Sequence, residues 1–145
     1  MLKRGFRFEF EAPDGWAEEP ENGRFLYRGP RGEALIVSGL MLTGTGPTQT
    51  ASDVSDRLFQ EAEESLNATA RDPDLRVIRP LSADETISNC WTLHAETKDQ
   101  RDLFAGAIFR GVHSVLLVTF EAPNRPESLE HYDSFLKSVR AAVVH

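Results

Sequence analysis

WTLHAETKDQRDLFAGAIFRGVHSVLLVTFE, residues 91–121, holds three apolar-rich runs separated by two short polar breaks. The runs Trp91–Thr97, Asp102–Arg110 and Ser114–Glu121 have the length and the bounding turns of strands. Breaks this short join antiparallel neighbours. Taking Asp99-Gln100 as a two-residue tip pairs His94 with Ala105 and Glu96 with Leu103. Taking Gly111-Val112-His113 as the next tip sets Ala105 beside Thr119 and Ala107 beside Leu117. On that register one face is core: Trp91, Leu93, Phe104, Ile108, Leu116, Val118 and Phe120. The other is mixed, with Phe109, Val115 and Leu117 at one end, His94, Glu96, Thr119 and Glu121 toward the other, and small residues between. A shallow trough with a polar rim is expected there, able to receive a helix or peptide. A slip of one residue would exchange the faces.

Working outward, Phe6, Phe8 and Phe10 alternate with Arg7, Glu9 and Glu11, the period of a half-buried strand. Pro13-Asp14-Gly15 ends it and places Trp16 directly behind a turn. Arg24–Arg28 is a second strand. Gly29-Pro30-Arg31-Gly32 is a tight turn into Glu33–Leu42, apolar enough to be covered on both sides, with Gly39 as a bulge or close-approach point. Thr50 and Asp53 fit a capping box, and Val54, Leu58, Ala62 and Leu66, widened by Phe59, form the stripe of a helix ending near Arg71-Asp72-Pro73. Leu75–Pro80 is a short strand, and Leu81–Asn89 reads either way. A last helix begins near Glu127 and carries Leu129, Tyr132, Phe135, Leu136, Val139 and Val143 on one stripe. Glu127 and Glu130 sit early, with Lys137 and Arg140 late, as the helix dipole favours. The sum is one α+β domain over 1–145, an antiparallel sheet of about six or seven strands flanked by two main helices.

The chain of 145 residues carries a net charge of −7, which opposes nucleic-acid binding and a basic membrane-surface role. Its longest apolar runs are too short to cross a bilayer. The start, Met-Leu-Lys-Arg, passes at once into polar alternation, so a cytoplasmic location is expected. A single cysteine, Cys90, precludes an intrachain disulfide and a cysteine metal cage; His94 lies roughly 13 Å along the same strand, so Cys90 reads as a small buried hydrophobe. The four histidines are dispersed without metal-ligand spacing, and His113, His131 and His145 are expected in solvent. Gly44-Thr45-Gly46 is followed by Pro47 and lacks the Gly-Lys-Ser/Thr of a phosphate loop. Val37-Ser38-Gly39 lacks the first glycine of a nucleophile elbow. His94 with Glu96 is the one pair resembling a base and its orienter, and no nucleophile accompanies it. No catalytic residue, metal site or cofactor is therefore assigned.

Phe8, Phe10, Pro13, Gly15 and Trp16, then Tyr27-Arg28-Gly29-Pro30 before a strand, then Ser134–Val139 in the closing helix, resemble the PsbP-like superfamily. The resemblance implies α/β/α layers with Trp16 as a core anchor beside the last helix. The superfamily includes photosystem II extrinsic proteins, a Ran-binding import factor, bacterial lipoproteins and small cytoplasmic chaperones of type VI secretion effectors. It implies non-catalytic binding of a protein or peptide partner. In the bacterial chaperone branch a homodimer would shield effector segments on the sheet. The candidate partner residues are His94, Glu96, Ala105, Ala107, Leu117, Thr119 and Glu121. The rival reading is a small-molecule binder or enzyme using His94 and Glu96.

Overall fold

The computed structural model describes residues 2–21, 23–41, 57, 58, 60, 61, 64, 75–77, 81–84, 90–97, 100–110 and 114–141. Among these the strands are β1 (Leu2–Gly5), β2 (Phe8–Glu11), β3 (Ala17–Glu21), β4 (Arg24–Arg28), β5 (Ala34–Met41), β6 (Leu75–Val77), β7 (Leu81–Asp84), β8 (Cys90–Thr97), β9 (Asp102–Arg110), β10 (Ser114–Pro123) and β11 (Arg140–Ala141). A helix, here α1, spans Pro126–Ser138. The main antiparallel sheet runs β3-β4-β5-β10-β9-β8-β6, with β7 also on β8, and a small sheet runs β1-β2-β11. Arg57, Leu58, Gln60, Glu61 and Glu64 are helical, with Leu58 half-buried and the others exposed, in keeping with the expected stripe. The rest of that expected helix lies outside the described residues, as do His113 and His145. No helix among the described residues is long and apolar enough to cross a membrane.

The N-terminal phenylalanines form two strands, not one. Phe6 and Arg7 adopt φ of 55° and 66° and make a two-residue turn whose last pair is Gly5 with Phe8. Positive φ at both central residues defines the turn that suits strand twist, normally with Gly or Asn. Two non-glycine residues there cost about 1 kcal/mol or more each, offset by packing. Phe6 lies so close to Gly39 that a Cβ on Gly39 would stand 2.7 Å from its Cγ, and Phe25 fills the space where a Gly5 side chain would go. Gly39 is thus a close-approach point, over which the small sheet meets the large one.

Glu9, expected to face solvent, is 3% exposed. It pairs across strands with Arg4 on one side and Arg140 on the other, and its carboxylate holds Arg4 Nε at 2.9 Å and Arg140 Nε at 3.2 Å. Arg140 is therefore a strand residue, not part of the last turn of α1. The helix ends earlier because Val139 is already extended. The Ser138 hydroxyl donates to the Phe135 carbonyl at 2.6 Å and accepts the Glu11 amide at 2.9 Å. This short clasp joins the helix end to β2.

The core lies between one face of the main sheet and the layer made by α1 and β1–β2. Leu35, Val37, Leu103, Ala107, Phe109, Leu116, Val118 and Phe120 are nearly or fully buried there beneath Phe10, Tyr132, Phe135 and Leu136. Phe120 stacks on Tyr132 with centroids 5.2 Å apart. On the reverse face Leu26, Ala95, Ile108 and Val115 are buried as well, while Thr119 and Glu121 on that side of β10 are exposed. β3, Glu-rich and containing Pro20, is the edge strand beyond β4, a place where proline is tolerated and charge discourages sheet extension.

Tyr27, 1% exposed, donates to Glu18 Oε1 at 3.4 Å. Burial, and secondarily the Glu18 carboxylate, push its phenol well above the ordinary tyrosine range. The folded state therefore holds this proton after the unfolded chain has released it. Its contribution is complete below about pH 10 and declines above it. Between about pH 10 and 11 the protein should lose roughly 1 kcal/mol to this one group. Tyr27→Phe should flatten that alkaline slope in urea titrations, and an unchanged slope would refute the assignment.

Candidate functional site

The β8–β9 register is the expected one, with His94 opposite Ala105 and Glu96 opposite Leu103. The β9–β10 register is one residue further on: Ala105 faces Phe120 and Ala107 faces Val118. Leu117, Thr119 and Glu121 consequently turn to the reverse side, while Leu116, Val118 and Phe120 join Ala105 and Ala107 in the core. Burial selects this register because it gathers Leu103, Ala105, Ala107, Phe109, Leu116, Val118, Phe120 and Ala122 on one face without a charged residue. Small alanines across from Phe120 and Val118 leave room for the aromatic layer above.

The expected trough is therefore not formed. Ala105 and Ala107 are 8% and 1% exposed, and both lie beneath the upper layer. His94 and Glu96 are half-buried. The Glu96 carboxylate accepts from Asn124 Nδ2 at 3.2 Å and Gln100 Nε2 at 3.4 Å, while Asn124 Nδ2 also donates to the Gln100 carbonyl at 2.9 Å. Glu96 thus ties the β8–β9 hairpin to the connection before α1. Thr119 and Glu121 are exposed and Leu117 half-buried, as a separate patch.

A cleft of about 360 Å³ lies elsewhere, where two turns meet the first turn of α1. The first turn closes by the Trp16 amide donating to the Pro13 carbonyl at 3.3 Å, with Gly15 at φ 78°, the conformation required at the third position of a type II turn. It brings Trp16 against Phe120 in a stack 6.3 Å between centroids, with the His131 ring 5.7 Å away. Trp16 is half-buried against the core and also forms one wall of the cleft. His131 is exposed as expected, with its ring against that wall.

The second turn is Gly29–Glu33. The Gly29 amide donates to the Glu33 carbonyl at 3.0 Å, and the Arg31 amide donates to Glu33 Oε1 at 2.7 Å. Glu33 is thereby folded back to 4% exposure. A Cβ on Gly29 would lie 2.6 Å from Glu33 Oε2 and 2.9 Å from Trp16 Cε2, so only glycine lets carboxylate and indole close over the turn. The third wall is the start of α1, where Pro126 occupies the first turn and the Ser128 hydroxyl donates to the Pro123 carbonyl at 2.9 Å. Glu127, Glu130 and His131 face the cleft from there, with Asp14 and Arg31 opposite.

Two antiparallel sheets with a helix laid across them define an α+β protein. Its fold is similar to that of solved PsbP and Mog1p structures. The solution structure of cyanobacterial PsbP (CyanoP) from Synechocystis sp. PCC 6803 superposes with a TM-score of 0.55 at 18% identity, covering 93% of this chain and 86% of that one. The Ran-binding protein Mog1p of Saccharomyces cerevisiae gives 0.57 at 12% identity, over 93% and 90%. LpqN, involved in cell envelope biogenesis of Mycobacterium tuberculosis, gives 0.53 at 13% identity, over 94% and 83%. At these identities the likeness is one of fold. No family model matches the chain, nor does any curated protein.

Proposed function

We propose that this chain is a non-catalytic binding module that takes a protein or peptide partner at the Trp16 cleft. The observation that carries the reading is the cleft itself: a side-chain-sized opening with an aromatic wall and charged rim, built from turns held in place by backbone hydrogen bonds. The fold supports it, since a solved relative in fold is a Ran-binding protein. In its finer form the module is a cytoplasmic bacterial chaperone of a type VI secretion effector, acting as a homodimer. Cargo would then seat at the cleft, because the core face of the central sheet is buried beneath the upper layer. The patch of Leu117, Thr119 and Glu121 would serve as a separate contact.

A small-molecule binder is the second reading, favoured by a cleft volume within the range of ligand pockets. Parallel affinity captures from native-host lysate with the wild type and Trp16→Ala, read by mass spectrometry, separate the two. The partner reading expects a protein depleted about tenfold or more with the variant, the loss of one well-buried aromatic contact. It is wrong if both baits recover the same proteins while a metabolite raises the melting temperature of the wild type alone.

A further inference from the structure

We propose that the cleft receives a basic side chain, arginine or lysine, projecting from the partner; this rests on the partner reading above. Four carboxylates line it, from Asp14, Glu33, Glu127 and Glu130, against the single guanidinium of Arg31. The N-terminus of α1 contributes about half a positive charge, too little to reverse that balance. An anion is therefore disfavoured and a cation drawn in.

Glu33 makes the site more than an acidic surface. The residue is 4% exposed. One of its carboxylate oxygens, Oε1, takes the Arg31 amide. The residue lines the cleft, with its other oxygen, Oε2, on the side of Gly29 and the Trp16 indole. A largely buried carboxylate at the edge of an opening is stabilised by an incoming charged donor.

Shape narrows the class of cation. Among the described residues, no three carboxylate or imidazole groups converge to ligate a metal ion. The charge is instead spread along the walls, with Trp16 between Asp14 and His131 offering apolar surface. That combination suits a long side chain, its methylenes against the indole and its head group at the carboxylates.

The test is titration of the full chain with N-acetyl-arginine amide, N-acetyl-glutamine amide and spermidine, followed through backbone amide shifts in ¹H–¹⁵N spectra. The arginine derivative should bind in the millimolar range and move the amides of Asp14, Gly15, Arg31 and His131, while the glutamine derivative leaves them in place. Glu33→Gln keeps an acceptor for the Arg31 amide, so the turn is retained. It should weaken arginine binding about tenfold or more, the effect of one charge-assisted hydrogen bond. Equal shifts from the neutral analogue, or an affinity untouched by Glu33→Gln, overturn the proposal. If the captured partner still depends on Trp16 in that case, the partner reading stands and only its basic anchor falls. If spermidine binds far more tightly than the arginine derivative and no partner is captured, both fall.

Discussion

Phe10→Ala should lower the unfolding free energy by about 3–5 kcal/mol, a large share of the roughly 5–15 kcal/mol that holds a domain of this size together. Phe10 is 0% exposed and touches two other elements at once. Its ring meets Phe25 of β4 edge-on at 5.3 Å and Phe135 of α1 at 5.5 Å, from its own place on β2. The cavity left by truncation has little means of closing. Phe25 is pinned against Gly5 and stacked on Tyr27 at 6.5 Å with the rings 1° from parallel, and Phe135 is fixed by the helix. Such rigid surroundings place the loss toward the top of the range for aromatic truncations. Urea unfolding should show the midpoint falling with an unchanged slope. A loss below about 1 kcal/mol would mean that the small sheet and the helix do not lean on this ring.

Sequence patterns were sufficient wherever a local rule and burial agreed. The β8–β9 register follows from a two-residue tip, and Gln100 has the positive φ of 61° that such a tip requires. The Pro13–Trp16 turn, the Gly29–Gly32 turn, β5 and the body of α1 follow from equally local chemistry. Patterns misled where a distant contact decided the matter. Phe6 and Arg7 look like strand residues, and only the space above Gly39 makes a left-handed turn there worthwhile. Glu9 looks like an outward residue, yet it is flanked by one arginine from β1 and one from β11, more than a hundred residues further along the chain. β3 looks like a loop because an edge strand tolerates glutamates and a proline. The β9–β10 register depends on which stripe of β10 the upper layer covers, and that layer is not adjacent in the chain.

The cleft was hidden for the same reason. Asp14 and Trp16, Arg31 and Glu33, and the start of α1 each lie in a turn or helix end that local reading treats as solvated. One signal was nevertheless present. Two glycine turns and a proline-started helix all abut the same aromatic layer, so three rigid corners had to meet somewhere around Trp16. The reading of Trp16 as an anchor beside the last helix was sound for fold. What it omitted is that an indole half-buried against Phe120 also presents a wall to whatever enters between the turns.

Two glycines in mid-strand should respond oppositely to alanine, and the contrast tests how the two sheets meet. At Gly39 a Cβ would lie 2.6 Å from the Val115 carbonyl oxygen, 2.7 Å from Phe6 Cγ and 3.0 Å from Phe6 Cβ. At Gly106 the nearest atom would be the Val118 carbonyl oxygen at 3.5 Å, an ordinary contact. Gly39→Ala should therefore cost about 3 kcal/mol, the upper part of the range for overpacking, because neither a strand carbonyl nor the turn at Phe6 can withdraw without breaking sheet pairing. Gly106→Ala should fall within about 0.5 kcal/mol of the parent, or slightly stabilise it by restricting the unfolded chain. Adding Phe6→Ala to Gly39→Ala should recover only part of the loss, since the Val115 carbonyl and the Cβ of residue 6 remain in place. Urea midpoints for the three variants decide the matter. Equal responses at Gly39 and Gly106 would show that the β1–β2 turn does not cross β5 at close range. The left-handed backbone of Phe6 and Arg7 would then have no packing to offset it.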